Sequence, residues 1–361
     1  MLLFSFSSFA VSEPEISAKS AVLINADTKE IVYEKDAYTS RSMASTTKIM
    51  TSIIAIESGK LNFVVTAKDF AAEGTSIGLK EGYKLTLKDL VYGMLLESGN
   101  DAARLTANFL SGSEENFAKL MNDKAKQIGM SSTNFVTASG LDSEFHYSTA
   151  YDMALLGAYA VSNPVFKDIC STRNITVDLI EPKISYTYSN HNKLLTSCDG
   201  VFGIKTGFTK KSGRCLVSAC ERDGVTLVAV TLCAPNDWKD HFLLYDYGYS
   251  VLQKERIDFG FPQSIKIYGG ECKEIAVDVN KRDVFYSRKS ENDEVKVKIL
   301  FPKFVYAPVK IGDTIGEIRF YLDDMLFDSV SIVANEGVES MGEITEITIK
   351  EKFINFIKNM F

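Results

Sequence analysis

Three short groups of residues have types and spacings that could do chemistry. Ser45-Thr46-Thr47-Lys48 sets a serine and a lysine three positions apart at the start of an apolar, helically spaced run. Residues i and i+3 share a helix face, so the lysine Nζ can reach the serine Oγ. A serine hydroxyl is a weak nucleophile until a base takes its proton. A lysine can be that base when burial or a neighbouring cation lowers its pKa. The start of a helix adds backbone donors and positive potential beside the nucleophile. Alone the pattern means little, since Ser-x-x-Lys arises about once by chance in a chain of this length. The second group is Ser98-Gly99-Asn100. Its hydroxyl could relay a proton, and its amide, both donor and acceptor, could bind a peptide carbonyl. An ordinary helix junction would contain the same residues. The third, Lys205-Thr206-Gly207, opens a β segment. It offers a fixed positive charge, a hydroxyl for a carboxylate, and a glycine that lets a substrate backbone lie against the strand edge. Chance predicts on the order of a tenth of such a tripeptide per chain.

The patterning around these groups predicts the elements that hold them. Residues 20–34 read as a hairpin turning at Asn25-Ala26-Asp27. Residues 45–58 carry Ile49, Met50, Ile53, Ile54 and Ile56 at helical spacing, with Ser45, Thr46 and Thr47 as capping candidates. That helix is apolar on most sides and should be buried. Residues 86–96 and 100–110 read as two helices broken at Ser98-Gly99, followed by helices over 114–128, stopped by Gly129, and 151–161. Residues 213–219 and 225–232 read as strands, and 242–252 as a closing helix. After residue 256 the period becomes two: Ile265 and Ile267, then Ile275, Val277 and Val279, then Val295, Val297 and Ile299 alternate with polar residues. This predicts a small all-β domain with one face of each strand buried.

Composition closes off several classes. The chain has 361 residues, 45% hydrophobic and 24% charged, which suits two or three soluble domains and excludes a disordered, collagen-like or polytopic membrane chain. A net charge of −7 argues against a broad basic footprint for nucleic acid. The three histidines, His146, His191 and His241, are far apart in the sequence. Neither His-Glu-x-x-His nor Cys-x-x-Cys occurs, so no metal is expected. No phosphate-binding glycine loop occurs either, and no cofactor is expected. Six cysteines read mostly as free buried thiols, with disulfides the alternative. Residues 1–11 are apolar, of signal h-region length, and end near the small-x-small Ser8-Phe9-Ala10. They read as the remnant of an export signal, an apolar first strand being the alternative. At the other end Ile349, Phe353, Phe356, Ile357 and Met360 form one apolar stripe opposite lysines. The stripe alone fits a helix packed on its own β-domain at least as well as one lying in a membrane interface.

The three groups together, in this order, are the signature of penicillin-binding proteins and active-serine β-lactamases. The sequence resembles the low-molecular-weight penicillin-binding proteins that are D-alanyl-D-alanine carboxypeptidases. The likeness extends to Arg41-Ser42-Met43-Ala44, to Asp101-Ala102-Ala103, to Thr149-Ala150-Tyr151-Asp152 and to Asn190-His191-Asn192-Lys193-Leu194-Leu195. It continues through Gly203-Ile204 and Phe208-Thr209 around the third group, Gly213-Arg214-Cys215-Leu216-Val217, and Ala307-Pro308-Val309 with Gly312-Asp313 and Gly316. The resemblance implies an α/β (α+β) transpeptidase-like catalytic domain over 15–255, an antiparallel sheet flanked by helices. A small all-β sandwich over 256–343 and a membrane-anchoring amphipathic helix over 344–361 would follow, with 1–14 as the signal remnant. It also implies roles. Ser45 would be acylated, Lys48 would be the general base, and Ser98 would protonate the leaving amine. Asn100 would hold the substrate's side-chain amide. Lys205 and Thr206, with Gly207 beside them, would grip the terminal carboxylate. The backbone N–H groups of Ser45 and Phe208 would form the oxyanion hole. The implied partners are peptidoglycan pentapeptides ending in D-alanyl-D-alanine, β-lactams as covalent inhibitors, and the outer face of the cytoplasmic membrane. One departure stands out. Many relatives supply a carboxylate-binding arginine after the Lys-Thr-Gly strand, whereas residues 234–248 contain only Lys239 and His241 as candidates, which leaves that role unassigned. Two alternatives share the motifs. A β-lactamase would need a deacylating glutamate in Glu-x-x-x-Asn, and Glu114, Glu115, Glu144 and Glu181 all lack the asparagine. A non-catalytic β-lactam- or muropeptide-binding module would have no need of an intact set.

Overall fold

A computed structural model describes residues 12–71, 73–288, 295–322 and 324–341. The signal-like residues 1–11 and the striped segment 347–361 lie outside the described residues. The chain divides into two compact units after Gln253.

The first unit is built in the order β1 (Ser20–Asn25), β2 (Ile31–Lys35), a 3₁₀ turn (Ala44–Thr47), α1 (Lys48–Glu57), β3 (Val64–Thr66) and β4 (Lys84–Thr86). Helices α2 (Leu87–Leu95), α3 (Asn100–Ser111), α4 (Glu114–Ile128), α5 (Ala150–Ser162) and α6 (Pro164–Ser171) follow. Then come β5 (Asn174–Asp178), β6 (Ser185–Ser189), the short α7 (Leu194–Ser197), β7 (Val201–Thr209), β8 (Gly213–Arg222), β9 (Val225–Leu232) and α8 (Asp237–Val251). Five strands form one antiparallel sheet in the order β2-β1-β9-β8-β7. Period two is visible in its burial, with a core on each face. Val22, Ile24, Val217, Val228 and Val230 pack with the helices of the α1–α6 region. Ala21, Leu23, Leu216, Leu227 and Ala229 pack with Leu244 and Tyr245 of α8. Lys205-Thr206-Gly207 lies inside β7, not at its opening as the sequence suggests, because the ladder with β8 begins at Val201.

Helix starts follow local chemistry. Thr86 and Asp89 form a capping box on α2, and Ser113 and Thr149 cap α4 and α5. The threonines and serine before α1 do not cap it. The chain enters α1 through the 3₁₀ turn with no side-chain cap. Thr46 Oγ1 donates back to the carbonyl of Met43 at 2.6 Å, and Thr47 Oγ1 pairs with the His146 ring.

The second unit contains β10 (Gln253–Ile257), β11 (Ser264–Tyr268), β12 (Glu274–Val279), β13 (Val284–Arg288), β14 (Val295–Leu300), β15 (Phe304–Tyr306), β16 (Thr314–Leu322) and β17 (Met325–Ala334). Six of them form a sheet in the order β14-β16-β17-β12-β11-β15, antiparallel except for the β11–β15 pair, and β10 pairs with β13. Ile265, Ile267, Ile275, Val277 and Val279 are buried as their alternation predicts. Val297 and Ile299 are not. They sit on β14, the outermost strand, and are more than two-fifths exposed. An edge strand has a neighbour on one side only, so alternation alone does not secure cover.

In the first unit, α5 meets the sheet at Gly157. A Cβ there would stand 2.9 Å from Val228 Cγ1 and 3.1 Å from Val217 Cγ1. A Gly157→Leu variant should therefore overpack this contact and lose about 1–3 kcal/mol of stability. A denaturant titration reads this as a lower midpoint at unchanged slope, and an unchanged midpoint would show that the helix is not held at this distance.

Candidate active site

The 3₁₀ turn carries Ser45 to the rim of a cavity of about 370 Å³. Ser98, Thr206, Gly207, Phe208 and Arg214 share its lining with Ser45. The sequence motifs thus meet, although they come from the start of α1, the α2–α3 junction and the edge strand β7.

Lys48 is the centre of the arrangement. It is fully buried at the first position of α1. Its Nζ lies 2.9 Å from Ser45 Oγ, 2.6 Å from Asn100 Oδ1 and 2.7 Å from the carbonyl of Ser139. Burial drives its pKa well below the ordinary lysine value, and the charge of Lys205 adds to the fall, while Asp101 opposes it. A neutral amine within hydrogen-bond reach of a serine hydroxyl can take its proton.

Asn100 is committed at both ends. Oδ1 accepts from Lys48, and Nδ2 donates to the carbonyl of Glu73 at 2.6 Å. Its geometry is that of a partner for the lysine, and Nδ2 keeps a second N–H with which to bind a substrate carbonyl. Asp101 beside it is almost fully buried. It accepts from the backbone N–H groups of Ile77, Ala102 and Leu79 and from Ser76 Oγ. These bonds fasten the loop before β4 against α3. Ser98 holds a left-handed backbone, φ +64°, and its side chain makes no hydrogen bond to Ser45 or Lys48 among the described residues. Ala44, just before Ser45, has φ +48°. Backbone in this region costs a non-glycine residue of order 1–3 kcal/mol and persists where the surroundings enforce it.

Two glycines show how closely the loops converge. Gly140 has φ +86°, and a Cβ on it would overlap the carbonyl oxygen of Ala44. At Gly207 a Cβ would stand 3.0 Å from the backbone nitrogen of Ser45. The sequence explains Gly207 by substrate access, whereas the structure shows that the turn bearing Ser45 already occupies this space.

Lys205 is 1% exposed and donates to the carbonyl of Thr206 at 3.0 Å. Burial brings its pKa down to about 7. Phe208 is largely exposed on the edge strand, where alternate N–H groups have no neighbouring strand to pair with.

Sequence reasoning missed three contributors. The Ser139 carbonyl has no side-chain signature. His146 is buried, and its Nδ1 accepts from the N–H groups of Val136 and Thr137, so Nε2 carries the proton donated to Thr47 Oγ1. Burial lowers its pKa to about 4, which keeps the ring neutral as this pattern requires. Arg214 of β8, directly opposite Phe208, enters the same cavity. Among the described residues no cluster of His, Cys, Asp and Glu could hold a metal ion. The six cysteines are free, and Cys170, Cys198, Cys215 and Cys220 are buried.

Comparisons with known proteins agree on the family of the chain. Residues 7–236 match the D-alanyl-D-alanine carboxypeptidase family, and residues 249–340 match the C-terminal domain of penicillin-binding protein 5. The chain is 30% identical to the D-alanyl-D-alanine carboxypeptidase DacF of Bacillus subtilis over 96% of this chain and 93% of the relative. It is 28% identical to DacC of Escherichia coli over 95% and 90%. Penicillin-binding protein 5 of Haemophilus influenzae superposes with a TM-score of 0.65 at 28% identity, covering 92% of this chain and all of that one. The Streptomyces DD-transpeptidase superposes at 0.64 with 30% identity, covering 66% of this chain and all of its own. With an all-β unit following an antiparallel sheet flanked by helices, and with a serine at the cavity backed by a fully buried lysine, this chain belongs to the D-alanyl-D-alanine carboxypeptidase family.

Proposed function

We propose that the chain removes the terminal D-alanine from peptidoglycan pentapeptide stems through an acyl-enzyme on Ser45. The single observation that carries this reading is the 2.9 Å contact between Ser45 Oγ and the fully buried Nζ of Lys48. Neutral Lys48 takes the Oγ proton as Oγ attacks the carbonyl between the two D-alanines. The N–H groups of Ser45 and Phe208 receive the developing negative oxygen. The C–N bond breaks, Ser98 relays the proton from Lys48 to the leaving nitrogen, and D-alanine departs, leaving Lys48 neutral again. Water then attacks the ester, the peptide leaves with a new carboxylate, and Ser45 recovers its proton. Thr206 binds the terminal carboxylate, with the charge of Lys205 behind it. Asn100 holds Lys48 through Oδ1 and offers the second N–H of Nδ2 to the substrate amide. A β-lactam enters the same path and leaves a slow acyl-enzyme. Among the described residues no glutamate lines the cavity, which speaks against the β-lactamase alternative. We further propose that the enzyme is exported and works at the outer face of the cytoplasmic membrane, on the strength of the signal-like start and the striped C-terminal segment.

Three outcomes test this. Ser45→Ala should abolish both D-alanine release from a pentapeptide and the mass increment left by penicillin. A Ser45→Ala protein that still labels would sink the assignment, and rapid turnover of the wild-type adduct would favour a β-lactamase. The second test uses pH. Lys205 is charged below its pKa and neutral above it. If it supplies charge for the carboxylate, kcat/KM should fall as pH rises through that ionisation, about 7 in the free enzyme. Lys205→Arg should move this alkaline limb to higher pH, because a guanidinium stays protonated; an unmoved limb assigns it to another group. Third, removal of residues 345–361 should leave D-alanine release intact and free the enzyme from anionic vesicles in sedimentation. Loss of folding on truncation would instead place the segment in the core.

A further inference from the structure

We infer that Arg214 of β8, clamped by Asp237 and Trp238, is the residue that recognises the substrate's free C-terminal carboxylate. The inference rests on the carboxypeptidase reading above and names a specificity determinant for it. A carboxypeptidase must distinguish a chain end from a chain interior, and the chain end differs by one negative charge placed just beyond the scissile bond. Lys205 is poorly placed to read that charge alone. It is 1% exposed, donates to the Thr206 carbonyl, and does not line the cavity. Arg214 does line it, together with Ser45 and Thr206. In the β7–β8 ladder it stands directly across from Phe208, two residues beyond Thr206. Cross-strand partners point to the same face of a sheet, and so do residues two apart on one strand. Thr206, Phe208 and Arg214 therefore share a face, at the end of β7 that reaches the cavity.

The guanidinium is held in a way that leaves one edge for a ligand. Nε and Nη2 both approach Asp237 Oδ1, at 2.9 and 2.8 Å. Nη1 has no acceptor among the described residues. The carboxylate lies behind, its side chain 3% exposed, and the guanidinium in front at 42%. The Trp238 ring covers it at 5.4 Å from the centroid to Cζ. A planar fork fixed on one edge presents its remaining donors with little rotamer freedom left to lose, as recognition of a carboxylate favours. Residues 234–248 contain no arginine. In this chain that segment supplies the acid and the indole that position an arginine from the neighbouring strand.

The test compares acyl-D-alanyl-D-alanine with its C-terminal amide, which lacks the charge and keeps the scissile bond. Wild-type enzyme should favour the free acid. Arg214→Leu should lower kcat/KM for the acid about ten- to a hundredfold, the range of a charge-assisted hydrogen bond, and so collapse the acid-over-amide preference. Equal losses on both substrates, or an unchanged preference, would overturn the inference. Arg214→Gln reads the same ratio if the leucine variant melts early. D-alanine release by the wild type tests the carboxypeptidase reading separately. Should there be none, acylation of Ser45 by penicillin and by its methyl ester still measures the preference. A ratio that Arg214→Gln leaves intact there would equally remove Arg214 from carboxylate recognition.

Discussion

The site depends on placing an amine in the protein interior without giving it an acid partner. A buried lysine paired with a carboxylate keeps its proton, since an opposite charge nearby favours the charged form. Lys48 has three hydrogen-bond partners, a hydroxyl, an amide oxygen and a peptide carbonyl, none of which carries a formal charge. They orient Nζ and satisfy its donors while leaving desolvation dominant. The loops around α1 are arranged to bring those three neutral oxygens to one point.

That convergence explains features that look unrelated in the chain. Ser139 reaches Lys48 because the segment 136–146 is pinned by a neutral His146, which accepts two backbone N–H groups and donates to Thr47. The next residue, Gly140, must lack a side chain for the segment to lie against the Ala44 carbonyl. Ala44 in turn adopts a positive φ just before Ser45. The Ser45 hydroxyl that follows lies 2.9 Å from Nζ and takes no part in the capping role that a serine at a helix start ordinarily has.

Much of this was legible in the sequence, for physical reasons that also mark the limits. The buried α1, the break at Ser98-Gly99 and the alternating strands follow from periodicities that a linear chain displays directly. The serine and lysine lie one helical turn apart, which shows how a base could reach a nucleophile, but the chemistry was named only by the three motifs together and in order. Legibility stops where the partner is a backbone atom, as at Ser139, or where a side chain is chosen by a distant segment. Asn100 illustrates the second case. Its amide suits a substrate carbonyl, and the structure adds two partners that the chain does not display, Lys48 at Oδ1 and the Glu73 carbonyl at Nδ2. Arg214 illustrates it again, since its place in the cavity depends on pairing with β7 and on an acid at the start of α8. β14 shows the limit for packing, because alternation records which face could be buried and says nothing of what covers it.

Asp101 completes the argument about the lysine. It lies near enough to oppose the fall in the Lys48 pKa, and a direct ion pair would silence the base. Its two oxygens instead take three backbone N–H groups and the Ser76 hydroxyl. A carboxylate so engaged spreads its charge into the loop it fastens. Lys205 adds the opposite influence, because a second cation nearby further disfavours the charged form of Lys48. A carboxylate bound at the cavity would offset that positive charge and favour protonation of both lysines. The substrate's own charge would thus strengthen Lys48 as a base at the moment it must hold the proton from Ser45. Fixing that carboxylate at the Arg214 guanidinium, in a cavity that Lys48 does not line, lets the enzyme use the charge of the substrate without forming the ion pair that the burial of Lys48 avoids.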